Sequence, residues 1–114
     1  KTEEKFVTYV KDRRKMDIDN SKMDYYKLGG IFKQRELEPV LVVVKPKSKI
    51  KWESHRGEEF FYILEGEITF KVHNKLYKLS EGDAIQYPSY IQHSITNSTE
   101  KEVKMLAVVN QILL

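Results

Sequence analysis

Two histidines and a glutamate, His55, Glu59 and His93, have the chemistry to hold a divalent metal in this 114-residue chain. The chain has no cysteine, which excludes a thiolate site, a disulfide scaffold and a cysteine nucleophile, and leaves imidazole and carboxylate as ligands. Two imidazoles and one carboxylate converging on one ion leave open positions, an arrangement suited to iron and other first-row metals; zinc also fits. Taken singly, His55 and His93 read as ordinary histidines satisfied by one hydrogen bond, and only their joint spacing with Glu59 raises the metal reading. Glu53 has two readings, a fourth ligand or a solvated carboxylate among Lys49, Lys51 and Arg56. Glu58 is expected to point outward, and His73 to sit on a hairpin tip.

The elements that must position these residues are strands. Short β-branched and aromatic runs bounded by turn residues recur, and long helical periodicity is nearly absent. Strands are expected near Phe6 to Val10, Asp24 to Leu28, Val40 to Val44, Glu59 to Leu64, Glu67 to Val72, Lys75 to Leu79, Ala84 to Tyr87, His93 to Asn97 and Val103 to Val109. Gly66 should supply the positive φ of one tight connection, Asn74 suits the left-handed backbone of another, and Ser80 to Asp83 turn the chain again. Lys11 to Lys22 reads as a polar surface excursion, and the alternating lysines of 45 to 51 as a solvated edge or loop.

Alternation puts Glu59, Phe61 and Ile63 on one face of their strand and Phe60, Tyr62 and Leu64 on the other. Both faces are apolar, as they are along Leu41 to Val44, which calls for a second layer or a partner subunit. A homodimer is the expectation. A Glu59 pointing inward is a costly buried charge unless it is a ligand. Trp52, Phe61, Tyr87 and Tyr90 are candidates to line a cavity for a small organic molecule, the alternative being that they fill the core.

Apolar residues make up 40% of the chain and charged ones 32%, a globular composition sized for one domain. Residues 1–30 are expected to supply N-terminal strands and a loop that complete the barrel or a dimer interface. Twenty Lys and Arg are interspersed with 17 Asp and Glu for a net charge of +3, and no reading helix or stacking motif accompanies them, so this domain is expected to make no direct nucleic-acid contact. No run approaches the roughly 18 apolar residues of a membrane helix; a cytoplasmic location is the default. The chain opens on Lys1, and an upstream segment is an open expectation.

Glu53-Ser-His-Arg-Gly-Glu-Glu-Phe-Phe-Tyr-Ile-Leu-Glu-Gly66, followed by Gly82-Asp-Ala-Ile-Gln-Tyr-Pro88 and His93-Ser-Ile-Thr-Asn97, resembles the two sequence motifs of the cupin superfamily. His55 matches the second histidine of the first motif, Glu59 its glutamate and Gly66 its glycine; Gly82, Pro88, His93 and Asn97 match the second motif. The family's first histidine falls at Glu53, its opening glycine at Lys47, and the glycine two residues after Pro88 at Tyr90.

The resemblance implies an all-β, single-domain double-stranded β-helix, the jelly-roll or cupin barrel, with a metal such as iron, manganese, zinc or nickel, or none, at His55, Glu59, His93 and Glu53. Tyr25 to Leu28, Leu37-Glu38-Pro39-Val40-Leu41 and Leu79 to Asp83 extend the likeness toward the sensor domain that follows a lambda-repressor-type helix-turn-helix in transcriptional regulators. Such a domain binds a small-molecule ligand, and DNA would be reached only through a helix-turn-helix upstream. The alternative is a metal-dependent cupin enzyme of dioxygenase, isomerase or decarboxylase type; a metal-free storage role is the third.

Overall fold

Ten strands and one short 3-10 turn, Val10–Asp12, make up the regular structure of the computed structural model, which describes residues 3–16, 22–51 and 57–110. The strands are β1 Arg14–Lys15, β2 Met23–Lys27, β3 Glu38–Val44, β4 Ser48–Ile50, β5 Glu58–Glu65, β6 Ile68–Val72, β7 Lys75–Leu79, β8 Ala84–Pro88, β9 His93–Asn97 and β10 Val103–Val109. They form a six-stranded sheet in the order β1-β2-β3-β10-β5-β8 and a four-stranded sheet in the order β4-β9-β6-β7, with every pairing antiparallel. This is the expected single-domain jelly roll.

β10 lies between β3 and β5, and its alternation decides what faces the core. Val103, Met105, Ala107 and Val109 are buried, while Lys104, Leu106 and Val108 face the other way. Register then builds inward rows across the sheet: Tyr25, Val42, Met105 and Ile63 form one, and Lys27, Val40, Ala107, Phe61 and Ile85 the next. Phe61 of this sheet meets Phe70 of the other with ring centroids 5.0 Å apart, and Tyr87 lies 6.4 Å from each ring. These three aromatics tie the two layers together.

Turn chemistry follows the sequence with one correction. Gly66 has φ +92° and leads from β5 to β6, as expected. In the β6–β7 hairpin, however, the left-handed residue is His73 at φ 55°, and Asn74 is not. Lys47, standing where the family has glycine, is itself left-handed at φ 54°, so the departure keeps the backbone and loses the residue that adopts it freely.

The expected strand over Phe6 to Val10 is not formed. Only Lys5 bridges, to Ile31, through hydrogen bonds of 2.9 and 2.7 Å, and the chain then enters the 3-10 turn. Among the described residues, no strand pairs with residues 6–10. Phe6, at 74% exposure, packs on Phe32 with ring centroids 6.0 Å apart, and Val10 is 73% exposed. Conversely, the polar run after Lys11 contains the short edge strand β1, held by pairing with β2 and by a 3.3 Å Lys15–Asp24 ion pair. The lysine-rich stretch of 45 to 51 contains the edge strand β4, whose Ile50 is buried.

Candidate functional site

At one end of the six-stranded sheet, register aligns Glu38, Val109, Glu59 and Tyr87 in a single inward row. All four are buried. Two carboxylates in such a row are costly to leave uncompensated. Glu38 is compensated by Arg35, whose Nη2 donates to Oε1 at 2.7 Å. Glu59 Oε1 instead stands 3.2 Å from Nε2 of His93, the first residue of β9, so the two sheets bring this pair together from opposite layers.

The imidazole is oriented by its other nitrogen. Nδ1–H donates to the Ile91 carbonyl at 2.5 Å, and because a carbonyl only accepts, the proton belongs on Nδ1. With Nδ1 carrying a proton, the imidazole presents Nε2 to the carboxylate either as a lone pair or, when it carries a second proton, as an ion-pair donor. Two acceptors in contact require a proton or a cation between them, and a ligand histidine fixed by a backbone carbonyl is the arrangement metal sites use. Imidazole and carboxylate are donor types that a divalent ion accepts, and Glu59 and His93 bring one of each together. Among the described residues there is no group of three or more histidines and carboxylates that could hold a metal.

Tyrosines surround the pair. The Tyr87 ring packs on the His93 imidazole at 4.8 Å between centroids, and burial, then the charge and hydrogen-bonding influence of Glu59, push its phenol pKa strongly up. Tyr25, in an inward row, is pushed up to about 12, first by burial and then by the charge of Glu59. Both phenols are protonated donors at neutral pH.

Of the residues expected to form the site, Glu59, His93 and Tyr87 are assembled here. Phe61 is fully buried between the sheets, and Tyr90 is 82% exposed in the turn after β8. Trp52, Glu53 and His55 lie outside the described residues. Glu58 points outward and accepts from Gln86 at 2.8 Å. Asn97 ties strand ends: Nδ2–H groups donate to the carbonyls of Val44, Lys45 and Lys101, and Oδ1 accepts from the Thr99 amide.

A protein-family model described as the cupin domain matches residues 40–109. The chain belongs to the cupin family. Similar solved structures include the cupin domain of an XRE family transcriptional regulator from Enterobacter cloacae, 14% identical, covering 82% of this cupin and 100% of that chain with a TM-score of 0.72. Fe(II)-HppE with the alternative substrate (S)-1-HPP is 22% identical, with a TM-score of 0.76 over 91% of this chain and 59% of that one. KdgF from Halomonas sp. is 14% identical, with a TM-score of 0.74 over 94% of each chain. At these identities the likeness shows the fold. No curated protein matches by sequence. Among the described residues of this cupin, no helix is long and apolar enough to cross a membrane.

Sequence reasoning passed over Tyr25, whose ionisation Glu59 influences, and the burial of Ser89. Tyr25 faces inward because β2 pairs Tyr25 with Val42, a non-local register that no local pattern reveals. Ser89 extends the β5–β8 ladder by donating its amide to the Gly57 carbonyl at 2.9 Å, which carries the inward alternation one step past Tyr87.

Proposed function

We propose that this cupin domain is a small-molecule sensor, the effector-binding part of a transcriptional regulator, with a divalent metal held by Glu59, His93 and His55. The observation that supports the metal is the Glu59–His93 contact between the two sheets, with the imidazole oriented through Nδ1 by the Ile91 carbonyl. His55 enters through its motif position alone, and Glu53 as a fourth ligand on the same ground. A bound iron, manganese, zinc or nickel ion would supply a Lewis-acidic positive charge with positions open to a ligand oxygen.

The chain's own groups define the rest. Ile91 orients the His93 imidazole, Tyr87 packs on it with tilted rings, and Phe61 meets Phe70 in the core between the sheets. Tyr25 and Tyr87 offer phenol protons. Sensing is supported by the likeness to a regulator's cupin domain, matched over its full length. DNA contact would belong to a helix-turn-helix upstream and not to this domain.

A homodimer is supported by the outer face of the large sheet. Tyr26, Leu41, Leu106 and Tyr62 form one row there and Pro39, Val108 and Phe60 another, an apolar patch suited to a second copy. The exposed apolar arm at Phe6, Val7, Tyr9 and Val10 extends the surface available for pairing.

The enzymatic reading, a dioxygenase, isomerase or decarboxylase, draws on the same pair and on the likeness to Fe(II)-HppE. A thermal-shift screen of small metabolites on metal-loaded protein, with product analysis of every hit, separates the two. Sensing predicts a ligand that raises Tm and is recovered unchanged; conversion of the ligand with metal-dependent turnover would replace it with the enzymatic reading.

A further inference from the structure

The peptide groups that open β5, immediately before Glu59, are held from both flanks. On one side the Gly57 carbonyl accepts from the Ser89 amide at 2.9 Å, one residue past the end of β8. On the other the Glu58 amide donates to Asn110 Oδ1 at 2.9 Å. The register between β5 and β10 ends at the Glu59–Val109 pair, so the Asn110 side chain carries the ladder one residue further than the two backbones do. Gly57 is shaped for this contact. Its φ is +83°, and a Cβ there would overlap the Asn110 carboxamide, so both the backbone and the space beside it call for glycine. The next inward position is Glu59, fully buried and 3.2 Å from His93.

We infer that Asn110 is a positioning residue for Glu59: by accepting from the Glu58 amide it fixes the start of β5 and so holds the Glu59 carboxylate against His93. Its effect on ion binding rests on the metal reading proposed above; the clamp on Glu59 itself does not. Glu59 is the second residue of β5, and strand ends are where local opening costs least. Ligand groups work only when held within about 0.5 Å of their geometry by the residues behind them. Without Oδ1 the Glu58 amide turns to water, and the start of β5 is tied on the β8 side alone. Asn110 acts through backbone and touches no ion, which separates its role from that of Glu59 and His93.

The test compares the native chain, Asn110→Ala and Asn110→Asp by amide hydrogen exchange and NMR on chelator-treated protein, then by zinc titration with chelator competition. Asp keeps an acceptor oxygen where Oδ1 stands and Ala has none. Asn110→Ala should speed exchange at the Glu58 amide while the rest of β5 and β10 keep native protection, and metal-free Tm should fall by no more than about 5 °C, the scale of one exposed hydrogen bond. Its zinc affinity should drop about tenfold, as when a group supporting a ligand is removed. Asn110→Asp should restore the slow exchange and at least native affinity. Unchanged Glu58 exchange in Asn110→Ala overturns the clamp. Faster exchange with native zinc affinity overturns the positioning role, as does a failure of Asn110→Asp to restore affinity. Loss of protection throughout β5 and β10 also overturns it, because Asn110 would then be a general structural residue. If the native chain binds no zinc, the metal reading falls by itself and the metal-free resonances of the His93 imidazole decide. A shift in Asn110→Ala that Asn110→Asp reverses keeps Asn110 as the positioner of Glu59, and identical resonances in all three proteins overturn it.

Discussion

His93 Nε2 lies 3.2 Å from Glu59 Oε1, and the Nδ1–H bond to Ile91 O makes both of those facing atoms acceptors in the neutral imidazole. The contact comes from fold and not from local sequence. Glu59 reaches inward because β5 alternates beneath β10, and His93 arrives from the opposite sheet as the first residue of β9. Glu38, two strands away in the same row, is neutralised by Arg35. Arg35 is the ion partner of Glu38, and His93 takes that position for Glu59.

Asn97 should be among the most sensitive polar positions. It serves three carbonyls and the Thr99 amide at the end of β9, so Asn97→Ala strands several backbone groups and should cost about 2–4 kcal/mol. Asn97→Asp should be comparably harmful, because a carboxylate has no proton to give a carbonyl. Urea unfolding checks both, and a loss under about 1 kcal/mol for either would count against the network.

Lys47→Gly should stabilise the protein. Lys47 holds φ at 54° while its Nζ makes exposed contacts with Ser98 O and Glu100. Left-handed backbone costs a non-glycine residue about 1–2 kcal/mol, and exposed ion pairs return less. A net gain of about 0.5–1 kcal/mol is expected, read as a higher urea midpoint.

Alkaline pH should weaken the chelator-treated protein through Tyr25. Its phenol is pushed up to about 12 when folded against about 10 when unfolded. Between those values the unfolded chain has lost the proton and the folded chain keeps it. The folded state then binds more protons, so stability is whole below about pH 10 and falls as pH rises toward 12. Tyr87 acts in the same direction. Tyr25→Phe should flatten the decline in unfolding free energy between about pH 10 and 12.

Leu106→Glu should separate the proposed dimer. Leu106 sits between Leu41 and Tyr62 at the middle of the outward apolar rows, where a charge faces the partner and leaves the core untouched. Light scattering should show two chains for the native protein and one for the variant; a native monomer would contradict the dimer.

Legibility in the sequence followed how local each cause is. The alternation of β5 and β10, the turn at Gly66 and the motif spacing of Glu59, His93 and Asn97 could be read directly, because each depends on neighbours in the chain. The segment Phe6 to Val10 misled, since apolar residues that cover nothing look like a strand until a ladder partner is sought. β1 and β4 are too short for any period, and they form only because β2 and β9 offer edges. The inward placement of Tyr25 and the buried hydroxyl of Ser89 depend on register between distant segments, which the linear pattern does not carry.

The most direct test of the metal site is a zinc titration, followed by chelator competition, on the native chain, Glu59→Gln and His93→Asn. One ion per chain is predicted for the native protein, with affinity at least about 100-fold lower in either variant. In the metal-free state Glu59→Gln should be as stable as the native chain or more so, because an amide N–H can donate to His93 Nε2 where the carboxylate could not. Zinc binding of the same affinity in all three proteins, or none in the native one, would contradict the assignment of Glu59 and His93 as metal ligands.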